Sequence, residues 1–105
     1  MRAAKVDANH TAVVSALRAA GCLVESLAGV GKGVPDLLVA YESHDGECRF
    51  AMFEVKDGQK PKSAQKLTPH QVDWHKKYDR WPVCLVDSPE TALRHLAVLR
   101  TGIRT

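Results

Sequence analysis

The chain has 105 residues, 45% hydrophobic and 26% charged, with a formal net charge of +3. One domain with a single layered core fits that length, and the composition excludes disordered, collagen-like and membrane-spanning classes. No apolar run could span a bilayer and Met1 to Asn9 lacks the apolar stretch of a signal peptide, so a cytoplasmic protein without a membrane partner is expected.

From Asp7 to Ala20, Val13, Val14, Leu17 and Ala20 recur at three- and four-residue intervals, which predicts an amphipathic helix capped by Asp7 or Asn9 and ended by Gly21. Cys22 to Ala28 is short, apolar and bounded by glycines, and reads as a strand. A glycine-rich turn follows, from Gly29 to Gly33. Leu37 to Tyr41 and Arg49 to Val55 are strand-like runs on either side of Asp45-Gly46, a strong hairpin signal. Asp57 to Lys66 is polar and lysine-rich and reads as an exposed loop. Thr68-Pro69 opens a helix running to about Asp79, with Gln71 where a capping-box partner belongs. Val83 to Val86 reads as a buried strand, and Ser88-Pro89 starts a last helix carrying Leu93, Leu96 and Leu99. The expected architecture is an α/β layer of order α-β-β-β-α-β with a C-terminal helix, one small mixed sheet flanked by helices, in a single domain over 1–105. Cys22, Cys48 and Cys84 sit apart in apolar stretches with no C-x-x-C pair, and all three are expected as buried thiols.

The marked turn allows the hairpin to be put into register. A three-residue loop over His44 to Gly46 sets Asp36 opposite Glu54, Leu38 opposite Met52 and Ala40 opposite Phe50. Strand alternation brings Lys56 out on the Glu54 face, one pleat further on, with the core-like Met52 and Phe50 behind. Two neighbouring carboxylates repel when both are ionised, so such a pair is held by a cation or shares a proton. Oxygen donors of this kind suit Mg²⁺ or Mn²⁺, and a phosphodiester is the natural substrate. Lys56 would orient the attacking water or offset the charge built up in the transition state.

Val34-Pro35-Asp36 followed by Phe53-Glu54-Val55-Lys56 resembles the PD-(D/E)XK nuclease signature. With the glycines before Pro35, the lysine-rich loop and Leu67-Thr68-Pro69-His70-Gln71, the chain from about Asp7 to Asp87 is similar to the stand-alone VRR-NUC proteins of bacteria and phages. The resemblance implies a restriction-endonuclease-like core in which Asp36, Glu54 and the Val55 carbonyl bind the metal, Lys56 is catalytic and Gln71 lies in the site. It also implies a divalent-metal-dependent DNA endonuclease acting on branched, flap or junction DNA, as a homodimer by analogy, with no small-molecule cofactor. Family members usually carry an acid in the first helix. That place falls near Ala12, where Asp7, Asn9 or His10 substitutes, the acid is dispensable, or the copy is impaired.

Each feature has a plainer reading. Pro-Asp and Glu-x-Lys are common by chance, and Gln71 is equally well placed as a cap. Lys32, Lys60, Lys62 and Lys66 are either nucleic-acid-binding residues beside the metal or a solvated face. Gly31 and Gly33 fit a flexible approach to the site better than a P-loop. His70 and His75 are off the spacing of a helical zinc pair. Trp74 and Trp81 are expected in the core or a dimer contact rather than stacked on bases. The alternative from another class is a nucleic-acid-binding module that keeps the fold and has lost catalysis. A protein-interaction domain without a nucleic-acid role comes third.

Overall fold

The computed structural model describes residues 8–57 and 66–102. Among them the order is helix α1 (Ala8–Ala19), strands β1 (Leu23–Ser26), β2 (Leu37–Glu42) and β3 (Cys48–Val55), helix α2 (Pro69–Lys77), strand β4 (Val83–Val86) and helix α3 (Pro89–Thr101). The α-β-β-β-α-β-α alternation is the expected one, with β1 shorter and α2 ending two residues earlier. Lys60, Lys62 and the candidate cap Asp7 lie outside the described residues. No described helix is long and apolar enough to cross a membrane.

The strands form one mixed sheet in the order β1-β2-β3-β4, antiparallel except between β3 and β4. A parallel neighbour requires a crossover, which the segment containing α2 supplies. The β2–β3 register is the one read from the turn: Leu38 pairs with Met52 and Ala40 with Phe50. Its cause is local. The Ser43 N–H donates to the Glu47 carbonyl at 2.9 Å, and the Gly46 N–H closes a turn onto the Ser43 carbonyl at 2.9 Å. Gly46 sits at φ +86°, the left-handed conformation that completes such a loop without a Cβ clash.

The core lies on one face of the sheet. Val13 and Leu17 of α1 and Ala92 and Leu96 of α3 pack there with Leu37, Val39, Ala51, Phe53, Cys84 and Val86. Leu93 was expected on the apolar stripe of α3 but is 40% exposed; the buried positions are Ala92 and Leu96, with Leu99 partly covered. Alternation along β3 sends Ala51 and Phe53 into this core and Phe50, Met52 and Glu54 to the opposite face. Phe50 and Met52 are therefore not in the main core, and Phe50 is 63% exposed. Among the described residues, α2 is the helix over that face, where Trp74 and Tyr78 stack on each other and line a cleft of about 540 Å³ with Leu38, Phe50 and Met52. Trp81 is 60% exposed rather than in the core. Cys22 and Cys84 are buried as expected, but Cys48 is exposed, because it starts β3 beside the hairpin loop, outside the helix cover.

Asn9 does not cap α1. It lies inside the first turn, and its Nδ2 donates to the carbonyls of Lys56 at 2.7 Å and Asp87 at 3.0 Å, tying the helix to the ends of β3 and β4. Helices α2 and α3 both begin with a complete capping box and a proline, Thr68 with Gln71 and Ser88 with Thr91.

The glycine-rich turn is a packing element rather than a flexible approach. Gly31, Lys32 and Gly33 are consecutively left-handed, at φ +70°, +58° and +82°, and carry the chain so close to α2 that a Cβ at Gly33 would overlap the His70 carbonyl. Gly31 faces open space. Replacing Gly33 by Ala is expected to cost about 3 kcal/mol, against about 1 kcal/mol for Gly31→Ala, where only backbone strain acts. Thermal melts of the two variants against the parent test this; equal losses would refute the contact between the turn and α2.

Candidate metal and nucleic-acid site

The site assembles where β2 and β3 open towards α2. Extending the strand register one pair beyond Leu37–Phe53 sets Asp36 opposite Glu54. Asp36 Oδ2 accepts the Val55 N–H at 2.7 Å, so the side chain replaces the next rung of the ladder. A strand residue points its N–H and C=O to the same side, which aims the Val55 carbonyl at the Asp36 end of the pair. One more step along the register faces Val55 with Pro35, which has no N–H to donate to that carbonyl.

Glu54 emerges beside Asp36 with only 2% of its side chain exposed. The strand register sets it opposite Asp36, and its Oε1 has no hydrogen-bond partner among the described residues. Burial, then the Asp36 hydrogen bond and charge, push the Glu54 carboxyl up to about 8, and the Lys56 charge opposes them only in part. At neutral pH the ion-free pair therefore resolves its repulsion by keeping a proton. Two carboxylates and a main-chain carbonyl brought to one end of the hairpin by the register are the donor types a hard divalent ion takes, and an ion there would replace that proton.

Lys56 lies one pleat further out. Its Nζ donates to Gln71 Oε1 at 2.8 Å, and the same oxygen accepts the Thr68 N–H at 2.9 Å while the Gln71 N–H donates to Thr68 Oγ1 at 3.3 Å. The cap reading of Gln71 holds, and the same carbonyl oxygen that caps α2 with one lone pair anchors the Lys56 side chain with the other. Main-chain anchoring of Lys56 comes from its N–H to the Val86 carbonyl at 2.8 Å and from Asn9 on its own carbonyl.

His75 was missed as a site residue. Four residues beyond Gln71, it lies one helical turn along the same face of α2, a spacing visible in the sequence once Gln71 is placed. Its Nε2 lies 3.9 Å from Glu54 Oε1. Burial, and then the Lys56 charge, lower its pKa, so the ring is neutral at physiological pH. Among the described residues no three His, Cys, Asp or Glu side chains form a ready-made ligand cluster. The arrangement is a carboxylate pair with a histidine on its far side.

Of the expected phosphate-binding lysines, Lys32 and Lys66 are exposed, Lys32 in the turn resting on His70 and Lys66 just before the Thr68 cap. Around Ala12, where a helix acid was sought, Asp57, Asp87 and Glu90 line a cleft of about 600 Å³ with Asn9. The described part of α1 carries no acid.

An acid whose folded pKa lies above its unfolded value stabilises the fold below the unfolded pKa and loses that contribution as pH rises through the folded one. In EDTA, stability is therefore expected to fall by a few kcal/mol between pH about 5 and about 8, and Glu54→Gln to flatten the slope. Melting temperatures across that range check the sign; an unchanged slope in the variant would rule Glu54 out. Gln71→Ala is expected to cost about 1 kcal/mol through the cap, whereas Gln71→Glu keeps it, as denaturant unfolding would report. In comparisons with known proteins, no family model, curated protein or solved structure matches the chain.

Proposed function

We propose that this protein is a divalent-metal-dependent DNA endonuclease with a restriction-endonuclease-like core. The observation that carries the reading is the buried Glu54 carboxyl, with an unsatisfied oxygen, set opposite the half-buried Asp36 and beside a lysine anchored by Gln71. A surface charge cluster has no reason to bury a carboxylate against another carboxylate, because the desolvation cost is recovered only if something is bound there.

Asp36, Glu54 and the Val55 carbonyl would hold Mg²⁺ or Mn²⁺. When bound, the ion polarises a phosphoryl oxygen and lowers the pKa of an attacking water. Lys56 places a fixed positive charge one pleat away, where it orients the nucleophile or offsets charge on the phosphoryl oxygens. Gln71 holds the Nζ so that no conformational search precedes each turnover. Lys32, Lys60, Lys62 and Lys66 neutralise flanking phosphates without reading bases, which favours recognition of DNA by shape, at branches, flaps or junctions. A homodimer would let one assembly engage two strands.

One observation favours a second reading, a module that binds nucleic acid without cutting it. The described part of α1 has no acid, and Asn9, whose Nδ2 donates to the Lys56 and Asp87 carbonyls, offers only a neutral amide oxygen where the acid would stand. Labelled linear, flap and four-way-junction DNA incubated with Mg²⁺, Mn²⁺ or EDTA separates the two. Metal-dependent cutting that falls at least about a hundredfold in Asp36→Asn and in Lys56→Ala is the expected result. Salt-sensitive binding with no cutting under any condition would sink the nuclease reading.

A further inference from the structure

Glu54 is flanked on both sides. Asp36 stands opposite it in the strand register, and its Oε1 faces His75 Nε2 at 3.9 Å across the gap between β3 and α2. Both facing atoms are buried and neither has a hydrogen-bond partner among the described residues. A gap of 3.9 Å is too long for a hydrogen bond. Two unsatisfied buried polar atoms aimed at one gap destabilise the fold unless a third party bridges them.

Donors sharing one first-row divalent ion at about 2.1 Å lie roughly 3 Å apart when adjacent and roughly 4 Å apart when opposite. The Glu54–His75 separation falls inside that window. We propose that His75 supplies a nitrogen donor to the divalent ion held by Glu54, so that the site takes a mixed oxygen and nitrogen set and prefers Mn²⁺ over Mg²⁺. The inference rests on the metal reading proposed above.

The donor chemistry sets the preference. Mg²⁺ seeks oxygen in strict octahedral geometry, whereas Mn²⁺ and later first-row ions accept imidazole. Helix α2 is a suitable carrier for the donor. Its capping box and the Gly33 contact at His70 fix its first turn, and Gln71 ties it to Lys56, so His75 is held one turn further along a rigid element. The same helix would then set both the lysine and the ion, which couples their positions.

The test is pulsed electron paramagnetic resonance of Mn²⁺ added to the untagged, full-length protein. Nitrogen modulation from a directly bound imidazole is expected, with its frequencies changed by selective ¹⁵N-histidine labelling and its intensity lost in His75→Gln. Calorimetric titration should show Mn²⁺ affinity falling at least about tenfold in that variant, with Mg²⁺ affinity changing less, so that the preference narrows. Bound Mn²⁺ without nitrogen coupling, or coupling that survives His75→Gln, would overturn the role of His75 and leave the carboxylate site standing. No Mn²⁺ binding at all would overturn the metal reading together with it.

Discussion

Asp36 Oδ2 on the Val55 N–H is the contact on which the rest of the site depends. It ends the β2–β3 ladder by substituting a side chain for a main-chain carbonyl. That substitution brings the Asp36 carboxylate to the open end of the hairpin and holds it against Glu54. The pairing is all-or-none, because a one-residue slip would send Glu54 and Lys56 to the helix-covered core face and bring Phe53 out to theirs. The register is in turn secured at the far end of the hairpin, by the left-handed Gly46 and the Ser43 turn, and along it by Leu37, Val39, Ala51 and Phe53. Burial of the apolar face thus fixes the position of charges on the other.

The two faces of the sheet have different work. One is closed by α1 and α3 and holds most of the apolar residues that stabilise the fold. The other is covered, among the described residues, by α2, which has no fully buried residue and meets the sheet through half-buried aromatics. Polar chemistry can be placed on that second face without puncturing the main core. Glu54 is the exception that proves costly, a carboxyl almost wholly removed from water, and its pKa near 8 records that cost.

Side chains with double duty tie the fold to the site. Gln71 completes the capping box of α2 and holds the Lys56 Nζ. Asn9 anchors the first turn of α1 on the Lys56 carbonyl and on the Asp87 carbonyl at the end of β4. Gly33 lets the turn before Pro35-Asp36 pack directly on the α2 backbone. The position of Lys56 is therefore set by three elements distant in sequence, which order its side chain in advance of any ligand.

Much of this was legible in the chain itself because the signals are local. Asp45-Gly46 dictates a loop length, loop length dictates register, and register with strand alternation puts Asp36, Glu54 and Lys56 together. Thr68-Pro69 with Gln71, and Ser88-Pro89, announce helix starts for reasons contained within a single turn. What the chain alone did not decide was which face each element would turn inward. Phe50 and Met52 read as core by composition, and so did Cys48, yet all three alternate onto the face opposite the one that α1 and α3 close. The same holds for Asn9, His75 and Gly33, whose partners lie in distant segments: Lys56 and Asp87, Glu54, and His70. Local propensity sets turns and periods, but the choice of covered face, and so of every contact between elements, is made by the packing of the whole chain.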